Sequence, residues 1–297
     1  MLEGVITALV TPFTENGEKV DFVKFRKQID FQIDNGIKSM VFLGTTGESA
    51  TLSHDEKIKI IKFAVKYVHN RATVIIGTGG NNTAEVIKLS REAEKLGADA
   101  LLVVTPFYNK CTDSGLIAHF EAVASSVDVP IVLYNVPSRT GVNMKPDVIK
   151  ILAKHPNIIG IKEASGNMGQ MLDIASFVNN KFSLISGDDG LFLPTLAIGG
   201  CGVISVASNV IPSQINRLYD SFIMGDMESA RQMQREIHAF IKSLFKEVNP
   251  IPIKCIMKVL QMDNGHVRAP LTPASSETEK LLIDEYKKLC NDEKFVE

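Results

Sequence analysis

Eight short runs rich in β-branched residues recur along this chain, and each leads into a stretch with helical spacing. They occupy residues 4–10, 39–43, 73–77, 98–104, 130–134, 158–162, 183–186 and 202–206. Their starts fall about 20 to 35 residues apart, the size of a strand–helix unit. Between them, Phe22, Phe25, Ile29 and Ile33 stand three and four residues apart, as do Ile58, Ile61 and Val65. That spacing keeps one helix face apolar. Ser53-His54-Asp55-Glu56 fits a capping box at a helix start. Residues 84–96 run into Gly97, a natural C-terminal glycine. Lys145-Pro146-Asp147 puts a proline in the first turn of another helix.

Strands that alternate with helices form a parallel sheet. An open doubly wound sheet and a closed barrel both satisfy the alternation. Eight units within about 220 residues favour the α/β, (β/α)8 TIM barrel, whose usual size is about 250. A dinucleotide-binding sheet would need GxGxxG after the first strand, and none is there; Gly77-Thr78-Gly79-Gly80 follows the third and by itself is ordinary turn chemistry. From about residue 225 the alternation stops. Residues 227–245, 253–260 and 277–289 read as helices, with Pro250-Ile251-Pro252 and Ala269-Pro270-Leu271-Thr272-Pro273 as breaks between them. The expected organisation is a barrel over residues 1–225 and a small C-terminal helical domain over 226–297.

Composition narrows the function classes. A net charge of −2, with no basic run, leaves no footprint for nucleic acid or an anionic membrane. No apolar segment approaches the roughly 20 residues that span a bilayer, and no signal pattern opens the chain, so a cytoplasmic protein is expected. Cys111, Cys201, Cys255 and Cys290 form no CxxC pair, and the six histidines include no HExxH. Reduced thiols and no metal site are expected.

Chemistry in such barrels sits where the strands end at their C-terminal tips. Residues 158–162 make an apolar run that ends on Lys162, with Gly166 beyond. Period 2 puts Lys162 and Gly160 on one face, and Ile159 and Ile161 on the other. Lys162 is then either a surface charge at a strand exit or an amine held in a dry pocket. In a pocket its charged form is disfavoured, and a free amine is the nucleophile that Schiff-base chemistry needs. The neighbouring tips supply partners for a carbonyl substrate. Gly44-Thr45-Thr46-Gly47-Glu48 offers hydroxyls and close backbone N–H groups suited to a carboxylate. Tyr134 can pass a proton, Thr45 and Tyr108 can extend the relay, and Arg139 offers a planar fork to a second carboxylate. Singly, each has a plain structural reading as a turn, a packed ring or a solvated arginine. Four strand tips that all suit one reaction outweigh those readings.

Three motifs carry a resemblance. Gly44-Thr45-Thr46-Gly47-Glu48, Tyr134-Asn135-Val136-Pro137-Ser138-Arg139-Thr140-Gly141 and Gly160-Ile161-Lys162-Glu163 resemble the signatures of the dihydrodipicolinate synthases, within the class I pyruvate aldolase and N-acetylneuraminate lyase superfamily. The likeness spans essentially the whole chain in order and spacing. The threonine turn and the lysine strand are shared across that superfamily; Arg139-Thr140-Gly141 is narrower and resembles the synthases. The resemblance implies a barrel with C-terminal helices, usually a homotetramer (a dimer of dimers). It implies condensation of pyruvate with L-aspartate-4-semialdehyde through a covalent Schiff base on Lys162, with no separate cofactor. Thr46 would hold the pyruvate carboxylate and Arg139 that of the semialdehyde. Tyr134, Thr45 and Tyr108 would move protons, Tyr108 from a neighbouring subunit. Ile204 and Gly187 would line the lysine pocket through their backbone. It also implies an allosteric lysine site at Ser49, Ala50, Leu52, His54, Lys57, Asn81, Glu85 and Phe107. There Lys57 and Phe107 depart from the sensitive pattern, so inhibition is expected to be weak or absent. A sibling sugar-acid lyase would share Lys162 but need a polyol pocket, which Arg139 opposes; a silent carboxylate-binding barrel would not need Lys162, Tyr134 and both threonines.

Overall fold

The computed structural model describes residues 2–290; the expected C-terminal domain therefore runs, over residues 291–297, outside the described residues. Eight parallel strands close into a barrel in chain order. They are β1 (Gly4–Ala8), β2 (Ser39–Phe42), β3 (Thr73–Gly77), β4 (Ala100–Val104), β5 (Ile131–Asn135), β6 (Ile158–Glu163), β7 (Ser183–Ser186) and β8 (Gly202–Ser205). The helices among them are α1 (Phe22–Asp34), α2 (His54–Val68), α3 (Thr83–Lys95), α4 (Asp113–Ala124), α5 (Pro137–Thr140), α6 (Pro146–Leu152), α7 (Met168–Ala175), α8 (Phe192–Ala197) and α9 (Pro212–Ile223). Beyond them come α10 (Met227–Ser243), α11 (Ile251–Val259) and α12 (Ser276–Cys290). The helix starts follow their sequence signals. Ser53 Oγ accepts from the Glu56 N–H while Glu56 accepts from the Ser53 N–H, and Pro146 begins α6.

Alternation along each strand sorts the core into two layers. Ile6, Val41, Ile75, Leu102, Val132 and Ile185 fill the barrel; the opposite faces pack under the surrounding helices. On β6 the period-2 expectation fails at one residue. Ile131 pairs with Ile158 and Val132 with Gly160, so a bulge takes up Ile159. Ile159 packs with the barrel interior, on the side of Lys162 and Gly160, while Ile158 and Ile161 join the outer layer.

Strand ends also move. Residues 9 and 10 leave β1, Pro130 stays outside β5 and β4 begins only at Ala100, whereas β6 continues to Glu163. The reading of Pro250-Ile251-Pro252 as a break is corrected as well: α11 starts there, because a proline in the first helical turn removes no helical hydrogen bond. α10 lies against α9 and α12, and α11 sends Ile253, Ile256 and Met257 into the core. Among the described residues no helix is long and apolar enough to cross a membrane, and no group of three or more His, Cys, Asp or Glu could hold a metal ion.

Candidate active site

β5 and β6 pair so that Tyr134 faces Lys162 across the ladder, and β7 brings Ile185 to the lysine's other side. All three point into the barrel mouth. Lys162 is 6% exposed, and its Nζ lies 4.3 Å from the centroid of the Tyr134 ring. The amine is therefore held in a pocket and is not a surface charge. Gly187 explains part of that fit: a Cβ there would collide with Ala164 and come 3.1 Å from Lys162 Cε. Ile204 is buried in the barrel interior with Ile185 and Tyr134.

The threonine turn closes the opposite side. The Gly47 N–H donates to Gly44 O and the Glu48 N–H to Thr45 O, folding the chain tightly after β2. Leu43 and Glu48 take φ of 58° and 53°, left-handed values that cost non-glycine residues about 1–2 kcal/mol each. Gly77 makes room for this turn, since a Cβ there would collide with the Leu43 carbonyl. Glu48 is pinned from the far end of the chain. Its Oε1 accepts from Lys254 Nζ at 2.7 Å and its Oε2 from the Arg268 N–H at 2.9 Å, and both members of the Lys254–Glu48 pair are fully buried. Lys254 also donates to Thr11 O at 2.8 Å. Asn249 ties two functional candidates together. Its Nδ2 donates to Thr46 Oγ1 at 3.0 Å, and its carbonyl accepts from Arg139 Nη2 at 3.0 Å.

These groups border two adjoining cavities that share Thr45, Tyr134, Arg139 and Asn249. The inner one, about 220 Å³, adds Thr46, Lys162 and Gly187. It can hold a small carbonyl compound with a hydroxyl-lined end for a carboxylate, an amine for the carbonyl and a phenol beside both. Residues 1–288 match the model of the dihydrodipicolinate synthetase family. The chain belongs to the dihydrodipicolinate synthetase family. The 4-hydroxy-tetrahydrodipicolinate synthase of Alkaliphilus oremlandii is 47% identical over 288 residues, covering 97% of this chain and 99% of that protein. A crystal structure of dihydrodipicolinate synthase from Aquifex aeolicus superposes with a TM-score of 0.94 at 45% identity, over 97% of this chain and 98% of that one. The Acinetobacter baumannii enzyme, solved in complex with pyruvate, gives 0.94 at 38% identity over 98% of this chain and 99% of its own. As a member of the dihydrodipicolinate synthetase family the chain is a lyase with that family's synthase activity, in lysine and diaminopimelate biosynthesis.

Within this family member the expected residues are brought together unevenly. Lys162, Tyr134, Thr45, Thr46, Arg139 and Gly187 border the inner cavity, whereas Ile204 is buried in the barrel interior and borders neither cavity. Tyr108 stands outside both cavities at 92% exposure, with a left-handed φ of 70°. Of the allosteric candidates, Ser49, Ala50, Lys57, Asn81 and Phe107 border the outer cavity of about 490 Å³. Leu52 is buried, Glu85 lies in the first turn of α3, and His54 faces Glu92 at 3.4 Å in a separate surface groove. Burial pushes the Lys57 ammonium below its ordinary pKa, and among the described residues no ion pair joins it to Glu85. Sequence reasoning missed Asn249, Lys254 and Arg268. The only local signal at Asn249 is the proline-rich segment it precedes, which says nothing of contacts more than 200 residues away.

Proposed function

We propose that this enzyme condenses pyruvate with L-aspartate-4-semialdehyde to 4-hydroxy-tetrahydrodipicolinate through a Schiff base on Lys162. The observation that carries the reading is the buried lysine amine 4.3 Å from the Tyr134 ring, in a cavity that also holds Thr45, Thr46 and Arg139. Lys162 Nζ attacks the keto carbon of pyruvate, and the carbinolamine loses water to give a protonated imine. The imine withdraws electrons, so a methyl proton leaves and an enamine forms. The enamine carbon attacks the aldehyde of the second substrate; the amino group of that substrate then attacks the imine carbon, which closes the ring and releases Lys162. Thr46 holds the pyruvate carboxylate and Arg139 that of the semialdehyde, as a planar fork suits. Tyr134 and Thr45 move the protons. The covalent imine is itself the electron sink, so the reading needs no dissociable cofactor. It places a cytoplasmic enzyme on two small, charged substrates. The test is borohydride reduction in the presence of pyruvate, followed by peptide mass spectrometry. An adduct on Lys162 is expected, with none in Lys162→Ala; an adduct on another lysine overturns the mechanism.

In this reading Tyr108 completes the relay of a neighbouring subunit in a homotetramer built as a dimer of dimers. Its support is the 92% exposure of an aromatic ring next to Phe107, itself 38% exposed, since exposed rings gain most when a partner covers them. Mixed Tyr108→Phe and Lys162→Ala subunits should regain activity through hybrid dimers; no recovery after confirmed subunit exchange rejects it. The outer cavity is a candidate lysine site of low affinity. An incoming ammonium would meet the desolvated Lys57 ammonium, or the site would have to discharge it, and either lowers affinity. Phe107 offers no hydroxyl in exchange. Lysine titrated at fixed pyruvate should inhibit weakly or not at all, and sub-millimolar inhibition contradicts this.

A further inference from the structure

Directly after Lys162, on the opposite face of β6, lies a carboxylate with no cation to pair it. Glu163 is 1% exposed, and among the described residues it enters no ion pair. Its bonds come from neutral groups. Oε1 accepts from the Ser165 N–H at 2.7 Å, and Oε2 from Asn135 Nδ2 at 3.0 Å and Gln170 Nε2 at 3.1 Å. Both oxygens accept and neither donates, which is the pattern of an ionised carboxylate. Asn135, fully buried, is the β5 residue paired with Glu163, one step beyond the Tyr134–Lys162 pair. Its Oδ1 accepts from the Met144 N–H, and Asn143 exchanges hydrogen bonds with Gln170, closing the network.

A buried charge is costly, and nothing in barrel packing asks for one here: an apolar residue would cover the same strand face. Two consequences follow from its place. The carboxylate gathers β5, the turn after β6 and the start of α7 at one point, which fixes the separation of the strand tips that carry Tyr134 and Lys162. Its charge also belongs to the strand residue next to Lys162, inside a buried region that screens poorly. We infer that Glu163 is a positioning residue of the Schiff-base step, holding the Tyr134–Lys162 pair in register and favouring the cationic imine over the neutral amine.

This inference rests on the imine at Lys162, so wild-type trapping is measured first; without a Lys162 adduct the mechanism itself fails before any variant is compared. Glu163→Gln keeps the shape and removes the charge. We expect a folded protein whose rate of borohydride trapping with pyruvate drops about tenfold or more, with kcat falling alongside and the pyruvate KM changing far less. Trapping at the wild-type rate in a folded Glu163→Gln protein overturns the proposal, since a purely structural role would change melting temperature and leave trapping per folded site alone. If Glu163→Gln does not fold, Gln170→Met decides: it removes one donor from the carboxylate and leaves the charge. A severalfold slower trapping at unchanged pyruvate KM is the expected result, and no change in trapping overturns the proposal.

Discussion

The two sides of the active-site cavity are held by different means. On the lysine side, Glu163 is bound by Asn135, Ser165 and Gln170, at most 28 residues away in sequence, and every partner is neutral. On the threonine side, Glu48 and Thr46 are bound by Lys254, Arg268 and Asn249, from 203 to 220 residues away, and the central contact is a buried ion pair. The barrel alone supplies the first arrangement. The second exists only once α11 and the segments on either side of it have docked. The Lys162 amine is thus set by the sheet, and the threonine turn by the C-terminal segments.

That contrast can be broken experimentally, most strongly at Lys254. Lys254→Met leaves Glu48 buried without its cation, which costs about 3–5 kcal/mol. Thermal unfolding should show the loss, and the surviving folded protein should need more pyruvate while any borohydride adduct still maps to Lys162. A changed trapping site, or an unchanged pyruvate KM, would erase the distinction between the two sides.

Acid should attack the same side. Arg268 grips Glu56 through two hydrogen bonds, at 2.7 and 2.9 Å, and holds its carboxyl from the ordinary 4.5 down to about 2. A depressed carboxylate contributes stability that is complete above the unfolded value near 4.5 and is lost as pH falls through the folded value near 2. Because the pair is partly solvated, the contribution is about 1–3 kcal/mol. Glu56→Gln should flatten the stability profile between those two pH values; an unchanged slope there rejects the assignment.

The smallest effect is expected at Asn249. Asn249→Ala removes the donor to Thr46 Oγ1 and costs about 1 kcal/mol in pyruvate binding, roughly a fivefold rise in KM. Since the contact to Arg139 runs through the Asn249 backbone carbonyl, the semialdehyde KM should move less. Equal shifts in both would show that the side chain supports the whole segment and not the threonine alone.

The same contrast explains what the sequence could disclose. β6 was readable because an apolar run that stops on a lysine signals both a strand and its polar tip, and strand order then places Tyr134 beside Lys162. The bulge at Ile159 was not, because an extra residue in a β-branched run leaves the composition of the run unchanged. Lys254 was hidden for another reason: a lysine within a helical stretch reads as solvent-facing, and its burial is tolerable because of acceptors 206 and 243 residues earlier, Glu48 and the Thr11 carbonyl. Asn249 has no periodic signature at all. Tyr108 is legible as an aromatic at a strand tip, but a single chain leaves its ring exposed and bordering neither cavity, so nothing within this chain displays the neighbouring site it was expected to serve.

The buried Lys254–Glu48 pair also constrains how such a chain can drift. Glu48 holds a left-handed backbone that glycine would adopt more easily, yet a glycine would strand the Lys254 ammonium in the core. Replacing either partner first passes through a form with a lone buried charge, while an apolar exchange of both at once can be neutral or even stabilising. Scanned one position at a time, the two sites will look immutable; sampled as a pair, they should open a route that single steps cannot find.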